Sequence, residues 1–252
     1  MKRRETLNFK VGHVGIGSQY PVTLQSMTNT DTKDTEKTLK QIRMLATEGI
    51  EIIRVALPEK EAVESFKRIC LESPLPVVAD IHFDYRLALE AIEAGASALR
   101  INPGNIGSRD KVEQVIKKAS AYQIPIRIGV NSGSIRKDIL AKYQRPTAEA
   151  LVESLVEQVE IFEQLDFRDI VLSLKASNVP MMIEANRLVS EKLPYPIHLG
   201  VTEAGSPKSG VIKSAVGIGT LLAEGIGDTI RVSLTANPVE EIVIAKDILK
   251  SL

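Results

Sequence analysis

The residues best suited to chemistry in this 252-residue chain are charged side chains that recur at the carboxyl end of one apolar segment after another. Four arginines, one lysine, one aspartate, one histidine and one glutamate follow this pattern: Arg54, Arg100, Arg127, Lys175, Arg231, Asp80, His82 and Glu203. Alternate residues of a strand point to the same face, and these residues share the register expected to face inward. Their common end therefore predicts one cluster of charges.

This charge cluster has more cations than acids. Asp80 and Glu203 neutralise only two of the five cations, and a buried cation without a partner is costly. The surplus of about three positive charges predicts an anionic ligand, most naturally a diphosphate or two phosphates. The alternative is an internal layer of ion pairs that stiffens the fold, an interpretation stronger for a single member such as Arg127 than for the set.

Further polar residues are expected around the same anion. Small amide and hydroxyl side chains at the strand ends complete the predicted binding set: Asn102, Asn131, Ser177, Ser209 and Ser233. Ser209 belongs to the Gly- and Ser-rich loop 205–210, and Ser233 precedes a helix cap at residues 235–237. Free backbone N–H groups at helix starts bind phosphate, which favours a phosphate site in this sector.

Three residues are candidates for proton transfer. Asp80 and His82 lie two positions apart on one face, which suits proton transfer or the binding of a ligand hydroxyl, and equally suits a structural Asp–His hydrogen bond. Glu203 is the best isolated acid. His198 has the parity expected to face outward, with Leu199, Val201 and Glu203 facing inward. With only three histidines and one cysteine, no metal site is predicted in this chain.

Eight short apolar segments must position these groups. They are rich in Val, Ile and Leu, as strands buried on both faces are, and comprise residues 21–27, 50–55, 76–81, 98–102, 124–130, 169–174, 196–201 and 229–233. Helical patterns alternate with them, for example at 35–48, 83–93, 148–164 and from 238 to the end of the chain. Eight successive βα units predict an α/β fold, the (β/α)₈ TIM barrel, rather than an open doubly wound sheet.

The remaining features concern the ends of the chain and its composition. A β-hairpin at about residues 5–17 is expected to plug the amino-terminal mouth, and residues 1–252 are expected to form one domain.

Net charge is zero and aromatic residues make up 4%, which disfavours nucleic acid and anionic membranes as partners. No apolar segment approaches the length of a membrane span, so a cytoplasmic protein is expected. Cys70 is interpreted as a packing residue.

Several long segments resemble, in the same order, those of the 4-hydroxy-3-methylbut-2-enyl diphosphate synthase family. They are residues 21–30 (PVTLQSMTNT), 79–83 (ADIHF), 99–105 (LRINPGN), 127–134 (RIGVNSGS), 198–205 (HLGVTEAG) and 214–235. The resemblance covers nearly the whole chain. The positions that match the family's substrate site are Arg54, Arg100, Asn102, Arg127, Asn131, Lys175, Glu203, Arg231 and Ser233.

The resemblance implies an oxidoreductase of the non-mevalonate isoprenoid pathway. Such enzymes reductively open 2-C-methyl-D-erythritol 2,4-cyclodiphosphate to 4-hydroxy-3-methylbut-2-enyl diphosphate. Electrons arrive from ferredoxin or flavodoxin through a 4Fe–4S cluster, and the protein is a homodimer in which the cluster domain of one protomer caps the barrel of the other.

One departure from the family limits these expectations. The family's cluster is held by three cysteines and a glutamate in a carboxyl-terminal domain, whereas this chain has one cysteine and is expected to comprise the barrel alone. The fragment is therefore expected to bind the cyclodiphosphate without turnover. The alternatives are another phosphate-ligand TIM barrel of the pterin-binding type and a non-enzymatic partner-binding module.

Overall fold

A short hairpin precedes the main body of the protein. The structure is a computed structural model that describes residues 2–202, 205 and 207–252, with position 207 described by its backbone alone. Strands β1 (Phe9–Val11) and β2 (Val14–Ile16) pair in antiparallel fashion around a turn at Gly12, whose φ of 58° is readily accessible to glycine. The predicted hairpin is confirmed, with its strands confined to these residues.

Eight parallel strands follow the hairpin. They are β3 (Thr23–Met27), β4 (Ile52–Ala56), β5 (Val77–Asp80), β6 (Ala98–Ile101), β7 (Ile126–Asn131), β8 (Ile170–Lys175), β9 (His198–Leu199) and β10 (Thr229–Ile230). Their order in the sheet is β8-β7-β6-β5-β4-β3-β10-β9. A bridge between Leu172 and Ile197 joins the two ends, where the Leu172 N–H donates to the Pro196 carbonyl at 2.8 Å. The predicted TIM barrel is confirmed.

Helices connect the strands and cover the outside of the barrel. They are α1 (Thr35–Thr47), α2 (Val63–Glu72), α3 (Tyr85–Glu93), α4 (Pro103–Ile106), α5 (Arg109–Ala121), α6 (Lys137–Tyr143), α7 (Ala148–Gln164), α8 (Val179–Lys192), α9 (Pro207–Ala223) and α10 (Pro238–Lys250). Short 3₁₀ turns occupy Lys60–Ala62 and Ser132–Ser134. Side-chain caps define several starts: Thr147 Oγ1 accepts from the Ala150 N–H, and Asn237 Oδ1 accepts from the Val239 N–H. None of the helices in the described ranges combines the length and apolarity needed to cross a membrane.

The apolar residues form two separate cores. The larger lies between the strands and the helices and contains the outward strand residues, such as Ile53, Leu99 and Ile128. The smaller lies inside the amino-terminal end of the barrel, and its residues come from both the hairpin and the strands: Val11, Ile16, Ile52, Val78, Ala98 and Val171. The hairpin thus plugs this mouth, as predicted, and polar inward residues are left to the opposite end.

Candidate anion-binding site

The register of the parallel strands arranges the inward side chains in levels. In an eight-stranded barrel, each strand is offset along the barrel axis relative to its neighbour. The inward residues at one height therefore come from every second strand and form a closed ring. The first level comprises Gln25, Val78, Arg127 and His198. Toward the carboxyl ends of the strands, the second comprises Arg54, Arg100, Ser173 and Arg231, and the third Met27, Asp80, Gly129 and Gly200. Lys175 and Asn102 lie on the next level toward the carboxyl ends of the strands.

Asp80 is the acid around which part of the cation cluster is organised. Its Oδ2 lies 3.5 Å from Arg54 Nε, and its Oδ1 accepts a hydrogen bond from Arg100 Nη1 at 3.1 Å. His82 Nε2 lies 3.2 Å from the same Oδ2. Burial raises the pKa of the Asp80 carboxyl, but Arg54, the His82 hydrogen bond and Arg100 outweigh it and hold the pKa well below its ordinary value. Asp80 is therefore ionised at neutral pH.

Arg231 is held by a different acid, Glu241 of α10. Arg231 Nη2 lies 3.4 Å from Glu241 Oε2, and Glu241 Oε1 accepts from the Leu234 N–H at 2.8 Å. Burial raises the pKa of the Glu241 carboxyl, although Arg231 opposes that effect. Glu241 thus ties the eighth barrel strand to the loop that starts the last helix.

Met27 contributes a softer contact between two of these arginines. Its thioether sulfur lies 2.9 Å from Arg54 Nη2 and 3.6 Å from Arg231 Nη1. A thioether is a weak acceptor that carries no charge, so these contacts orient the guanidinium groups without neutralising them.

Two cations have no carboxylate partner among the described residues. Arg127 is 5% exposed, and its Nη1 donates to the amide oxygen of Gln25 at 3.1 Å. Half-buried Lys175 has neither a hydrogen bond nor an ion pair in the described part of the chain. Burial is the main cause, and repulsion from neighbouring arginines the second, that lowers the pKa of each of these two groups well below its ordinary value. A bound anion would relieve that repulsion.

Two glycines on the third level leave room for the cations. A Cβ at Gly129 would lie 3.2 Å from Arg100 Nε, and a Cβ at Gly200 would lie 3.0 Å from Lys175 Nζ. Because most non-bonded heavy-atom contacts need more space, a larger residue at either position would displace the charged group. The glycines therefore open the centre of the barrel to Arg100 and Lys175.

The five cations face two acids in the described part of the barrel interior, which leaves a formal surplus of three positive charges. The second described acid is Glu241, which the sequence did not suggest, and Glu203, the acid expected from the sequence, lies outside the described residues. The side chains of Arg54, Arg100 and Arg231 are 12%, 15% and 14% exposed, so their guanidinium groups remain accessible from the mouth. Such a mouth is suited to a compact polyanion.

The seventh barrel strand contradicts the predicted parity. Ile197, Leu199 and Val201 pack in the core between strands and helices, so His198 and Gly200 face inward. The pKa of His198 is lowered well below its ordinary value by burial and by four cations of the interior, of which Arg127 is the foremost. The prediction was wrong because both faces of this strand are buried, and hydrophobicity alone does not distinguish them.

The other predicted residues differ in their exposure at the barrel mouth. Asn102 is 4% exposed and caps α4, its Oδ1 accepting from the Gly104 N–H at 3.2 Å. Asn131 and Ser233 are half-buried at the mouth, whereas Ser177 is exposed beyond the end of β8. Ser209 is exposed in the first turn of α9. Glu203 lies outside the described residues, so its predicted catalytic role stays a prediction.

Sequence reasoning missed Glu241 and the inward orientation of His198. Glu241 occupies the buried stripe of α10, alongside Ile242, Ala245 and Ile248. A carboxylate on an apolar helix face was the available signal, because such a group requires a buried partner. The sequence around His198 carries no comparable signal, because a strand of two residues is too short to show an alternation of polar and apolar positions.

The residues of this chain do not fit an iron–sulfur cluster. Such clusters require several cysteine thiolates, and the chain has a single cysteine, Cys70, whose thiol pKa is raised by burial to about 12. The described residues also contain no group of three His, Cys, Asp or Glu side chains placed to hold a metal ion. Any cluster chemistry therefore requires residues from outside this chain.

Comparison with solved structures supports the barrel and nothing finer. The 3-dehydroquinate dehydratase of Geobacillus kaustophilus superposes with a TM-score of 0.68 at 10% identity, covering 99% of this chain and 98% of that one. The 7,8-dihydropteroate synthase of Vibrio fischeri superposes with a TM-score of 0.66 at 13% identity, covering 97% of this chain and 98% of that one. At these identities the likeness shows a shared fold.

Sequence comparison is far more specific. The chain is 61% identical to the 4-hydroxy-3-methylbut-2-en-1-yl diphosphate synthase (flavodoxin) of Clostridium perfringens, over 100% of its own length and 72% of that protein. It is 56% identical to the enzyme of the same name from Natranaerobius thermophilus, over 100% of its own length and 70% of the relative. The model of the GcpE TIM-barrel domain matches residues 6–246. The chain therefore belongs to the GcpE TIM-barrel family, as the barrel domain of a 4-hydroxy-3-methylbut-2-en-1-yl diphosphate synthase.

Proposed function

We propose that this domain binds 2-C-methyl-D-erythritol 2,4-cyclodiphosphate, which the whole enzyme opens reductively to 4-hydroxy-3-methylbut-2-enyl diphosphate. The observation that supports the ligand is the surplus of cations over carboxylates in the barrel mouth. A cyclic diphosphate offers several acceptor oxygens in a small volume, and guanidinium groups donate to phosphate through paired N–H groups. The product's name in the relatives is consistent with a diphosphate at this site.

The contacts suggest different roles for the predicted residues. Arg54, Arg100 and Arg231 are already oriented by carboxylates, and we assign them to the diphosphate. Asp80 is best assigned as the residue that positions two of these arginines, since its oxygens are occupied and it is 2% exposed. His82 has a side chain 53% exposed, so it is the member of the pair able to meet a ligand hydroxyl.

The electron supply belongs to the rest of the enzyme. A 4Fe–4S cluster would provide two-electron reduction of the bound substrate, and the relatives' names indicate flavodoxin as the donor. Because this chain has one cysteine, we assign the cluster to a further domain and propose that a homodimer brings it to the barrel. The isolated barrel should bind substrate without reducing it. Within the whole enzyme, we assign Glu203 to a proton or hydroxyl of the substrate.

Calorimetric titration of the purified chain with the cyclodiphosphate tests the ligand assignment. Arg54→Ala and Arg100→Ala should each weaken binding by about tenfold or more, since each removes a charge-assisted contact. Arg109→Ala is the matched control, because Arg109 is 56% exposed on α5 and pairs with Glu113 outside the mouth. Absence of binding by the wild-type chain, or equal losses in all three variants, would refute the assignment. Preference for a pterin diphosphate would favour the alternative class of barrel.

A further inference from the structure

A polar layer crosses the barrel beneath the anion site. Arg127 on β7 reaches Gln25 on β3, and these strands lie on opposite sides of the barrel. The level is completed by Val78 on β5 and His198 on β9, which lie on either side of the line from Arg127 to Gln25. Arg127 is thus flanked by one apolar residue and one imidazole.

Several buried polar atoms around this level have no partner among the described residues. They are Arg127 Nη2, both ring nitrogens of His198 and Thr229 Oγ1. Thr229 is the register partner of His198 on the neighbouring strand, and both residues are 0% exposed. Buried polar groups in folded proteins almost always find a hydrogen-bond partner, so these neighbouring atoms require an explanation.

The unpartnered atoms are chemically complementary. A guanidinium group only donates, a neutral imidazole accepts at one nitrogen and donates at the other, and a hydroxyl does both. We propose that they form one hydrogen-bonded relay across the barrel floor, in which Arg127 Nη2 donates to His198 and His198 donates to Thr229 Oγ1, each through one bridging water. In this relay His198 is a positioning residue that holds Arg127 beneath the bound anion.

The electrostatic surroundings keep His198 in the form that the relay requires. Burial and the facing cations Arg127, Lys175, Arg54 and Arg231 disfavour the imidazolium, so the pKa of His198 is well below its ordinary value. A neutral ring retains the lone pair that accepts from the bridging water, whereas protonation would remove it.

Nitrogen NMR of the histidine rings tests the relay without any ligand. The chain has only three histidines, and His13 and His82 are exposed, so their ring signals serve as the internal reference for buried His198. His198 should remain neutral, in a single tautomer with a protected N–H, between about pH 5 and 8. A His198 ring that becomes protonated within this pH range, or that exchanges freely between tautomers, would overturn the proposal.

Binding measurements test the positioning role, which rests on the proposed function. With inorganic pyrophosphate as the probe, His198→Leu should weaken binding by about tenfold, because Arg127 loses an acceptor. His198→Gln keeps an acceptor and a donor and should recover most of the affinity. In an Arg127→Met background, His198→Leu should have no further effect, since coupled residues are not additive.

The outcomes separate the two proposals. Equal losses for His198→Leu and His198→Gln, or full additivity with Arg127→Met, would show that His198 does not act through Arg127. Circular dichroism and urea unfolding of each variant identify losses that come from misfolding. If wild-type protein binds neither pyrophosphate nor the cyclodiphosphate while the NMR result holds, the relay stands and the proposed function fails.

Discussion

Replacing Asp80 by Asn tests the central charge arrangement, because it removes one negative charge and leaves the shape almost unchanged. The Asp80 carboxylate lies 3.5 Å from Arg54 Nε and 3.1 Å from Arg100 Nη1. At an effective dielectric constant of about 20, each attraction is about 5 kcal/mol, and desolvation of the three groups opposes it. Removing one partner of a buried ion pair costs about 3–5 kcal/mol. We expect Asp80→Asn to lower the free energy of unfolding by about 3 kcal/mol.

The assay is urea unfolding at several pH values. The folded-state pKa of Asp80 lies below its ordinary value of 3.8, so its stabilisation is present above about pH 4 and is lost as the pH falls toward the folded-state pKa. The difference between wild type and Asp80→Asn should therefore be the same at about pH 7 and 5, and should shrink below about pH 4.

Asp138→Asn is the matched control for Asp80→Asn. Asp138 also pairs with an arginine, Arg136, but its side chain is 62% exposed, so solvent screens the pair and stability should change little. Equal losses of stability in the two variants, or an Asp80→Asn difference that already disappears between about pH 7 and 5, would show that Asp80 does not stabilise the fold as a buried ion-pair partner.

Three other substitutions address separate features. Gly200→Ala would place a Cβ 2.9 Å from the Arg231 carbonyl oxygen and 3.0 Å from Lys175 Nζ. The affinity for pyrophosphate, measured by calorimetry, should therefore fall by about tenfold or more. Gly219→Ala is the control, because a Cβ there meets nothing within 4 Å and should leave the affinity unchanged. Glu241→Gln should weaken the hold on Arg231 and lower the midpoint of thermal unfolding, and an unchanged midpoint would contradict its role as the second acid. Thr147→Ala removes a helix cap and should cost about 1 kcal/mol in urea unfolding; a loss below about 0.3 kcal/mol would show that the cap is dispensable.

The inward orientation of four cations in the anion site could be predicted from the alternation of residues along their strands. In strands β4, β6, β7 and β8, alternation correctly placed Arg54, Arg100, Arg127 and Lys175 inward. These strands have four to six residues and a polar inward residue near the carboxyl end, so only one parity avoids burying charge against the helices.

Strand β9 shows where the same argument fails. Leu199 and Val201 are equally suited to the inside of the barrel and to the helix-facing core, and the strand has two residues. The sequence pattern placed Leu199 and Val201 on the inward face. The fold instead turns His198 and Gly200 inward, because closure of the barrel between β8 and β10 sets the strand's rotation.

The alternation of eight strands with helices, the hairpin plug and the family are all predictable from the amino-acid sequence, because apolar periodicity and long motifs are properties of neighbouring residues. The sequence also predicts that cations outnumber acids at the strand ends. Which side chains contact one another follows from the three-dimensional fold: Asp80 contacts two arginines, Glu241 contacts Arg231, and Arg127 contacts Gln25. These partners are far apart along the chain or come from different layers, and barrel closure brings them together.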